Sequence, residues 1–329
     1  MGERLLKRAL SHENNWVEPF ENTDLKSVSI IIPVFYPEHL NEVLSHLRFI
    51  GGYNEIILVD DTGDVDVNRY EKIIKHSDIK VYFHNKNYGR SAARNTGAVK
   101  AKGDILVFVD QDMFLSMSFF NEIQRYYASN ESLVFLGARK NSAYEDIPKS
   151  SKWLSPEREF DWRINTIIDE NFIDLTVMEV GGNDNSCKQG EIISIFEKTN
   201  MLKNMGIEKK STIGFWDLPS MVISHSMAIS KKDYIYIGGF PEWISGWGGE
   251  DIVLGFLACA AHIPVFLSNC TSYQAIHKPY SGSEKKKIEE LKSNIEKYKT
   301  WAKDVSEFPV IDSLEIENRI LTYKDMVDE

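Results

Sequence analysis

Cysteine is scarce in this sequence. Only Cys187, Cys259 and Cys270 occur among 329 residues, an odd number with no CxxC spacing. That excludes a disulfide framework and a zinc ribbon and fits a reducing, cytoplasmic setting. Basic charge is short as well: 38 Lys and Arg face 49 Asp and Glu, a formal net charge of −11. A general nucleic-acid surface needs clustered cations that this balance does not supply, so no nucleic-acid partner is expected. No stretch approaches the roughly 20 apolar residues that span a bilayer, and MGERLLKRALSHENNW carries charge throughout, without the apolar run of a signal peptide. No GxGxxG follows the first apolar run and no GxxxxGK[ST] occurs, which sets aside a dinucleotide dehydrogenase and a P-loop enzyme. Internal repeats and low-complexity segments are also missing.

What is present suits a globular α/β protein. Hydrophobic residues make up 43% and charged residues 26%, with seven Trp and fourteen Tyr, a surplus of aromatics that suits either a ligand cleft or a core. VSIIIPVF is a continuous apolar run ended by Pro33 and Pro37; EHLNEVLSHLRFI has helical spacing; EIILVDD is apolar again and ends in acids. A short helical stretch through Tyr70 to His76, a strand IKVYFH, a helix SAARNTGAVKAK and a strand DILVFVDQD follow. This alternation predicts a doubly wound, mostly parallel sheet flanked by helices.

Ligands of such sheets bind beyond the carboxyl ends of the strands. Here those ends carry Pro33 to Tyr36, Asp60 and Asp61, Asn85 to Arg90, and Asp110 to Asp112, so the first ~120 residues read as a nucleotide-binding half with an acidic floor. Further on, NEIQRYYASN reads as a helix and LVFLGARK as a strand. Residues 141–220 resist parsing, with GGNDNSCKQG as a loop. MVISHSMAIS then reads as a strand, GWGGEDIVLGFLACAAHI as a loop opening a helix, and PVFLS as a short strand. The Lys-rich stretch 283–304 reads as a solvated helix of alternating charge, compatible also with a peripheral membrane contact.

Three constellations carry chemistry. Asp110-Gln111-Asp112 leaves an apolar strand with two carboxylates one residue apart, a donor set for Mg²⁺ or Mn²⁺ on a diphosphate; acids capping a following helix give the same pattern. In GWGGED, Gly246, Gly248 and Gly249 bracket Trp247, so that backbone and indole can approach a sugar. Glu250 and Asp251 open a helix there, where an ionised Asp251 can act as general base; a plain helix cap is the alternative. His277 follows the last short strand and can complete a metal shell with Asp112. Arg90 and Arg94, four apart, can place two guanidinium groups toward a diphosphate, although a surface ion pair explains Arg90 equally.

VSIIIPVFYPEHLNEVL, ILVDD, NYGRSAARNTGAVKAKGDILVFVDQD, AISKKDYIYIGGF and GWGGED together resemble glycosyltransferase family 2 and related inverting GT-A enzymes. The resemblance covers residues 27–120 and 222–278, and GWGGED is also similar to β-1,4-galactosyltransferases and chondroitin-type polymerases. It implies a GT-A fold with Pro33, Phe35 and Asp61 around the nucleotide base and Arg94 near the nucleotide. It places Asp110 and Asp112 at the ribose and the metal and makes Asp251 the base. A uridine donor follows from the resemblance alone. The chain departs from the usual VDDGS with VDDTGD, and residues 141–220 align with nothing by eye.

The expected organisation is an N-terminal helical extension (1–26), a nucleotide-sugar half (27–120), an acceptor-binding and catalytic half (121–280) and a C-terminal helical tail (281–329). The expected function is metal-dependent inverting transfer of a sugar to an acceptor hydroxyl on a saccharide, lipid-linked saccharide, peptide or small molecule. Two rivals stand beside it. A haloacid-dehalogenase-like phosphatase would use the DQD pair, and a sugar-nucleotide-binding protein would have lost catalysis.

Overall fold

The structure is a computed structural model that describes residues 25–142 and 222–322, except 37, 130, 262, 264 and 276–282. His277, the loop GGNDNSCKQG and nearly all of the expected N-terminal extension lie outside the described residues.

Four apolar strands and two helices build the centre. Strand β1 (Val28–Val34), helix α1 (Leu40–Ile50), β2 (Glu55–Asp60), β3 (Ile79–His84), α2 (Arg90–Lys100) and β4 (Ile105–Val109) follow in order. The strands line up as β4-β1-β2-β3, all parallel. Side-chain alternation divides each strand between two cores, as the two-residue period requires. Ile31, Ile57, Val59, Leu106 and Phe108 face one layer. Ile30, Ile32, Ile56, Leu58 and Val107 face the other, under α1 through Leu40, Val43, Leu44 and Leu47.

Antiparallel additions widen this centre. Strand β5 (Met113–Phe114), α3 (Phe119–Ser129), β6 (Val134–Ser142), β7 (Ser226–Ser230), α4 (Lys231–Tyr236), α5 (Glu250–Ala260) and β8 (Val265–Ala275) follow. Strand β7 pairs antiparallel with β4 and β6, β8 runs parallel to β6, and β5 pairs antiparallel with β8. Helix α6 (Ser283–Asp304), α7 (Ser313–Arg319) and β9 (Ile320–Thr322) end the described chain. Strand β9 adds antiparallel to β3, giving the order β5-β8-β6-β7-β4-β1-β2-β3-β9.

Several elements differ from their sequence reading. Pro33 lies inside β1, pairing with Val59. The helix expected from Tyr70 to His76 is a 3₁₀ turn over Val67–Tyr70 followed by irregular turns. Asp66 caps that turn, and the Tyr70 hydroxyl donates to Asp60 at 2.7 Å, which turns the chain inward. Strand β8 runs on through TSYQA, because its polar half still pairs with both β6 and β5. Within the described residues the C-terminal segment is helical and also contributes the sheet-edge strand β9.

Helix α6 is docked rather than freely solvated. Ile295, Tyr298 and Ala302 are buried, with Tyr298 and Trp301 packed on Phe256 of α5. At the opposite end, the buried Arg319 donates to both oxygens of Glu242 and to the carbonyl of Ala92. This fixes α7 to α2 and to the GGFPEW turn. Among the described residues, no helix is long and apolar enough to cross a membrane.

Candidate active site

Because β2 and β4 flank β1 and the chain leaves them in opposite directions, the strand order reverses between β1 and β4, and the carboxyl ends there frame the crevice in which ligands of such sheets bind. Phe35 leaves β1 and Asp110 leaves β4, one on each side of that crevice. Gln111, the middle residue of the DQD turn, joins the two rims. The Phe35 amide donates to its Oε1 at 2.8 Å, and its Nε2 donates back to the Phe35 carbonyl at 3.0 Å. Phe35 and Tyr36 are 51% and 61% exposed, open aromatic rings on the rim of the crevice.

Asp61, expected near the base, is buried and accepts three hydrogen bonds: from His84 Nδ1 at 2.7 Å and from the amides of Tyr88 and Gly89 at 2.8 Å each. His84 in turn contacts Thr96 Oγ1 at 2.9 Å through its other nitrogen. Asp61 is thus held rigidly at the strand edge, tying the end of β2 to the start of α2. The neighbouring Asp60 is occupied by Tyr70, Arg69 and Thr62.

Arg94 is buried; its Nη2 donates to Asp110 Oδ1 at 3.0 Å and its Nη1 to Glu250 Oε1 at 3.4 Å, with its guanidinium 4.9 Å from the Phe240 ring centre. Arg90 Nη1 donates to the same Glu250 oxygen at 3.2 Å. Arg94, expected with Arg90 to face a diphosphate, therefore bridges the two acidic motifs, while Arg90 reaches Glu250 alone. Burial works against the Arg94 charge, yet Asp110, Asp251 and Glu250 outweigh it and hold the guanidinium protonated well above the usual range.

Asp251 stands in the first turn of α5 beside this cluster. Its carboxyl is pushed up to about 6, first by burial and then by the charge of Glu250, with Asp110 adding to the rise and Arg94 and Ser224 opposing it. Asp251 Oδ1, Glu250 Oε2 and Arg94 Nε are buried without a hydrogen-bond partner. Such an atom costs about 1–3 kcal/mol, and three of them in one cluster are characteristic of a functional site.

The glycines of GWGG serve the approach of α6. At positive φ, Gly246 and Gly248 leave no room for a side chain: a Cβ would meet Glu290 at 2.7 Å and Leu291 at 2.9 Å. Asn294 Nδ2 donates to the carbonyls of Ser245 at 3.0 Å and Gly248 at 2.8 Å, and the Trp247 amide donates to Glu290 at 3.0 Å. Gly249 also turns at positive φ (98°), directly before Glu250. Trp247 stays 37% exposed, its ring held out on this stapled loop.

Asp112 is buried on the far side of the turn, where Gln274 Nε2 donates to its Oδ2 at 3.0 Å and its carbonyl accepts the Ala275 amide at 3.0 Å. Among the described residues no three His, Cys, Asp or Glu side chains form a ready metal cluster. The carboxylates of Asp110 and Asp112 are nonetheless hard oxygen donors suited to Mg²⁺ or Mn²⁺, with remaining positions to be filled by diphosphate, water or residues beyond Ala275. Sequence reasoning missed Gln111, His84, Ser224, Gln274 and Asn294. Only Asn294 carried a signal, as a polar residue in the stripe Leu291, Ile295, Tyr298 and Ala302.

A doubly wound half with a DxD turn at its strand edge, joined to a second acidic helix start, defines the GT-A class of glycosyltransferase fold. A GalNAc-T7 structure shares that fold with a TM-score of 0.51 and 13% identity, over 78% of this chain and 45% of that one. Residues 29–185 match the model for glycosyl transferase family 2, and residues 221–263 match the N-terminal domain of galactosyltransferase. Over residues 29–185 the chain is similar to glycosyltransferase family 2. The first match runs on into the region from 141, and the second covers GWGGED.

An uncharacterized glycosyltransferase of Haemophilus influenzae is 40% identical over 93 residues, 27% of this chain and 37% of that protein. Chondroitin synthase of Pasteurella multocida is 25% identical over 242 residues, 70% of this chain and 22% of that protein. The chain thus spans well under two thirds of either relative. The DQD turn closes β4, the fourth strand in chain order, and not the first as the phosphatase arrangement requires.

Proposed function

We propose that this chain is an inverting glycosyltransferase that moves a sugar from a nucleotide-diphosphate donor, a UDP-sugar, to an acceptor hydroxyl. The observation that carries the reading is the joining of Asp110 to Glu250 through Arg94, with Asp251 beside them. Donor-side and acceptor-side carboxylates then flank one reaction centre. The GT-A relative crystallised with UDP, GalNAc and Mn²⁺ supports the donor class by analogy.

In this reading the base lies between Phe35 and the Asp61 edge, with Pro33 behind it. The diphosphate lies toward Asp110 and Asp112. Asp112 and His277 would hold a divalent cation, which when bound supplies charge neutralisation on the departing diphosphate. His277 is two positions beyond Ala275, a reach of about 7 Å along the chain, and the Ala275 amide is bonded to Asp112.

Asp251, pushed up to about 6, is mostly ionised near neutral pH and still basic enough to take a proton. It removes the proton of the acceptor hydroxyl as that oxygen bonds to the anomeric carbon and the bond from that carbon to the diphosphate oxygen breaks. Attack from the opposite face inverts the anomer. Glu250 is oriented by Arg90 and Arg94 toward the sugar, and Trp247 offers the acceptor an aromatic face. Incubation with a panel of nucleotide sugars and Mn²⁺ tests the assignment. UDP release with sugar transfer supports it, while hydrolysis of a phosphomonoester with no nucleotide-sugar turnover sinks it.

A further inference from the structure

Tryptophans follow helix α6 away from the proposed transfer centre. At one end Trp247 is bonded through its amide to Glu290, with the Lys287 ammonium 6.0 Å from its ring centre. Further along the same helix Trp243 meets Trp301, with ring centres 5.5 Å apart and planes inclined by 39°. Eleven residues of helix from Glu290 to Trp301 span about 16 Å. Trp243 and Trp301, with Ser293, Glu296, Lys297 and Thr300, line an open groove of about 580 Å³. Trp243 remains 38% exposed, a large ring left in contact with water.

We propose that this groove is a distal saccharide subsite, which holds a neutral sugar unit of an extended acceptor whose reacting end lies at Trp247 and Asp251. The inference rests on the glycosyltransferase reading and deepens it by naming the acceptor class as oligosaccharide. A pyranose presents an apolar C–H face and a hydroxylated edge. An indole face packs against the first, and the Ser, Thr, Glu and Lys side chains of the rim match the second. One acidic and one basic side chain leave the rim without net charge, which favours a neutral sugar over a polyanion or a charged peptide. Continuity supports the same occupant, since Trp243, which lines the groove, and Trp247 share one loop that packs along α6.

Binding by the full chain to arrayed oligosaccharides of two to six units, neutral and acidic, followed by calorimetric titration without donor, tests the proposal. Neutral oligosaccharides bind, and those long enough to reach both tryptophan positions bind more tightly than disaccharides. Trp243→Ala weakens that binding about tenfold, the loss of one stacked ring. Ser293→Arg fills the groove from an exposed position, so it gives the same loss even where Trp243→Ala folds poorly. UDP affinity stays unchanged in Ser293→Arg. Failure of the wild-type chain to bind any neutral oligosaccharide at millimolar concentration overturns the subsite, as does binding that both variants leave intact. Failure of the wild-type chain to bind UDP counts instead against the donor reading.

Discussion

Arg94 and Glu250 are 156 residues apart in the chain and 3.4 Å apart in the fold. Through the same guanidinium, bonded to Asp110 at 3.0 Å, the turn that ends β4 is fixed to the helix start that carries Asp251. Residues from two distant segments are thereby held as one centre, and the charge of one arginine opposes the rise that burial imposes on the Asp251 carboxyl.

Replacing this arginine should cost both stability and poise. Arg94→Gln leaves Asp110 without its cation and the buried Glu250 with Arg90 alone, a loss of about 3–5 kcal/mol measurable by urea denaturation. Arg94 lowers the Asp251 pKa, so its removal raises that value further. The acid limb of the transfer rate against pH should therefore move to higher pH in any folded Arg94 variant.

Asp251 should weaken the fold it serves. Its folded carboxyl titrates at about 6 against a usual value of 3.8. Between those values the folded state keeps a proton that the unfolded chain has released, so this group's contribution to stability falls as pH rises through that window. Asp251→Asn removes the penalty. Its melting temperature at pH 7 should equal or exceed that of the wild type, and the difference should vanish below about pH 4.

Asn294 ties the Trp247 loop to α6. Asn294→Ala leaves the carbonyls of Ser245 and Gly248 without that donor and should cost about 1–3 kcal/mol. Acceptor KM should rise several-fold while UDP affinity holds, as separate acceptor and UDP titrations can show.

The fully buried strands were legible because an apolar run ending in acids reads the same way in sequence and in a parallel sheet. Asp61 and Asp110 were found at strand ends for that reason. The partners were not legible. Arg94 stood out as a site residue, but periodicity says nothing about a contact to Glu250, and the same holds for Arg319 on Glu242 or Gln274 on Asp112. Strand β9 is too short for an alternation signal. The polar half of β8 was missed because its pairing on both sides, not side-chain burial pattern, makes it a strand.

The cation can be tested by calorimetry with UDP. Affinity should be higher with Mn²⁺ or Mg²⁺ than with chelator, because carboxylates and phosphates repel without it. Asp112→Asn should lose most of that metal-dependent gain. Equal affinity in all three conditions would remove the role assigned to Asp112 and His277.

The most direct test compares UDP binding and sugar transfer in Asp251→Asn. The variant keeps shape and hydrogen-bonding capacity but cannot accept the acceptor's proton, so transfer should fall on the order of 10²–10⁴-fold while UDP and metal affinity barely change. The wild-type product should carry the inverted anomer by NMR. Near-full turnover of Asp251→Asn on the same acceptor, or a product of retained configuration from the wild type, contradicts the mechanism.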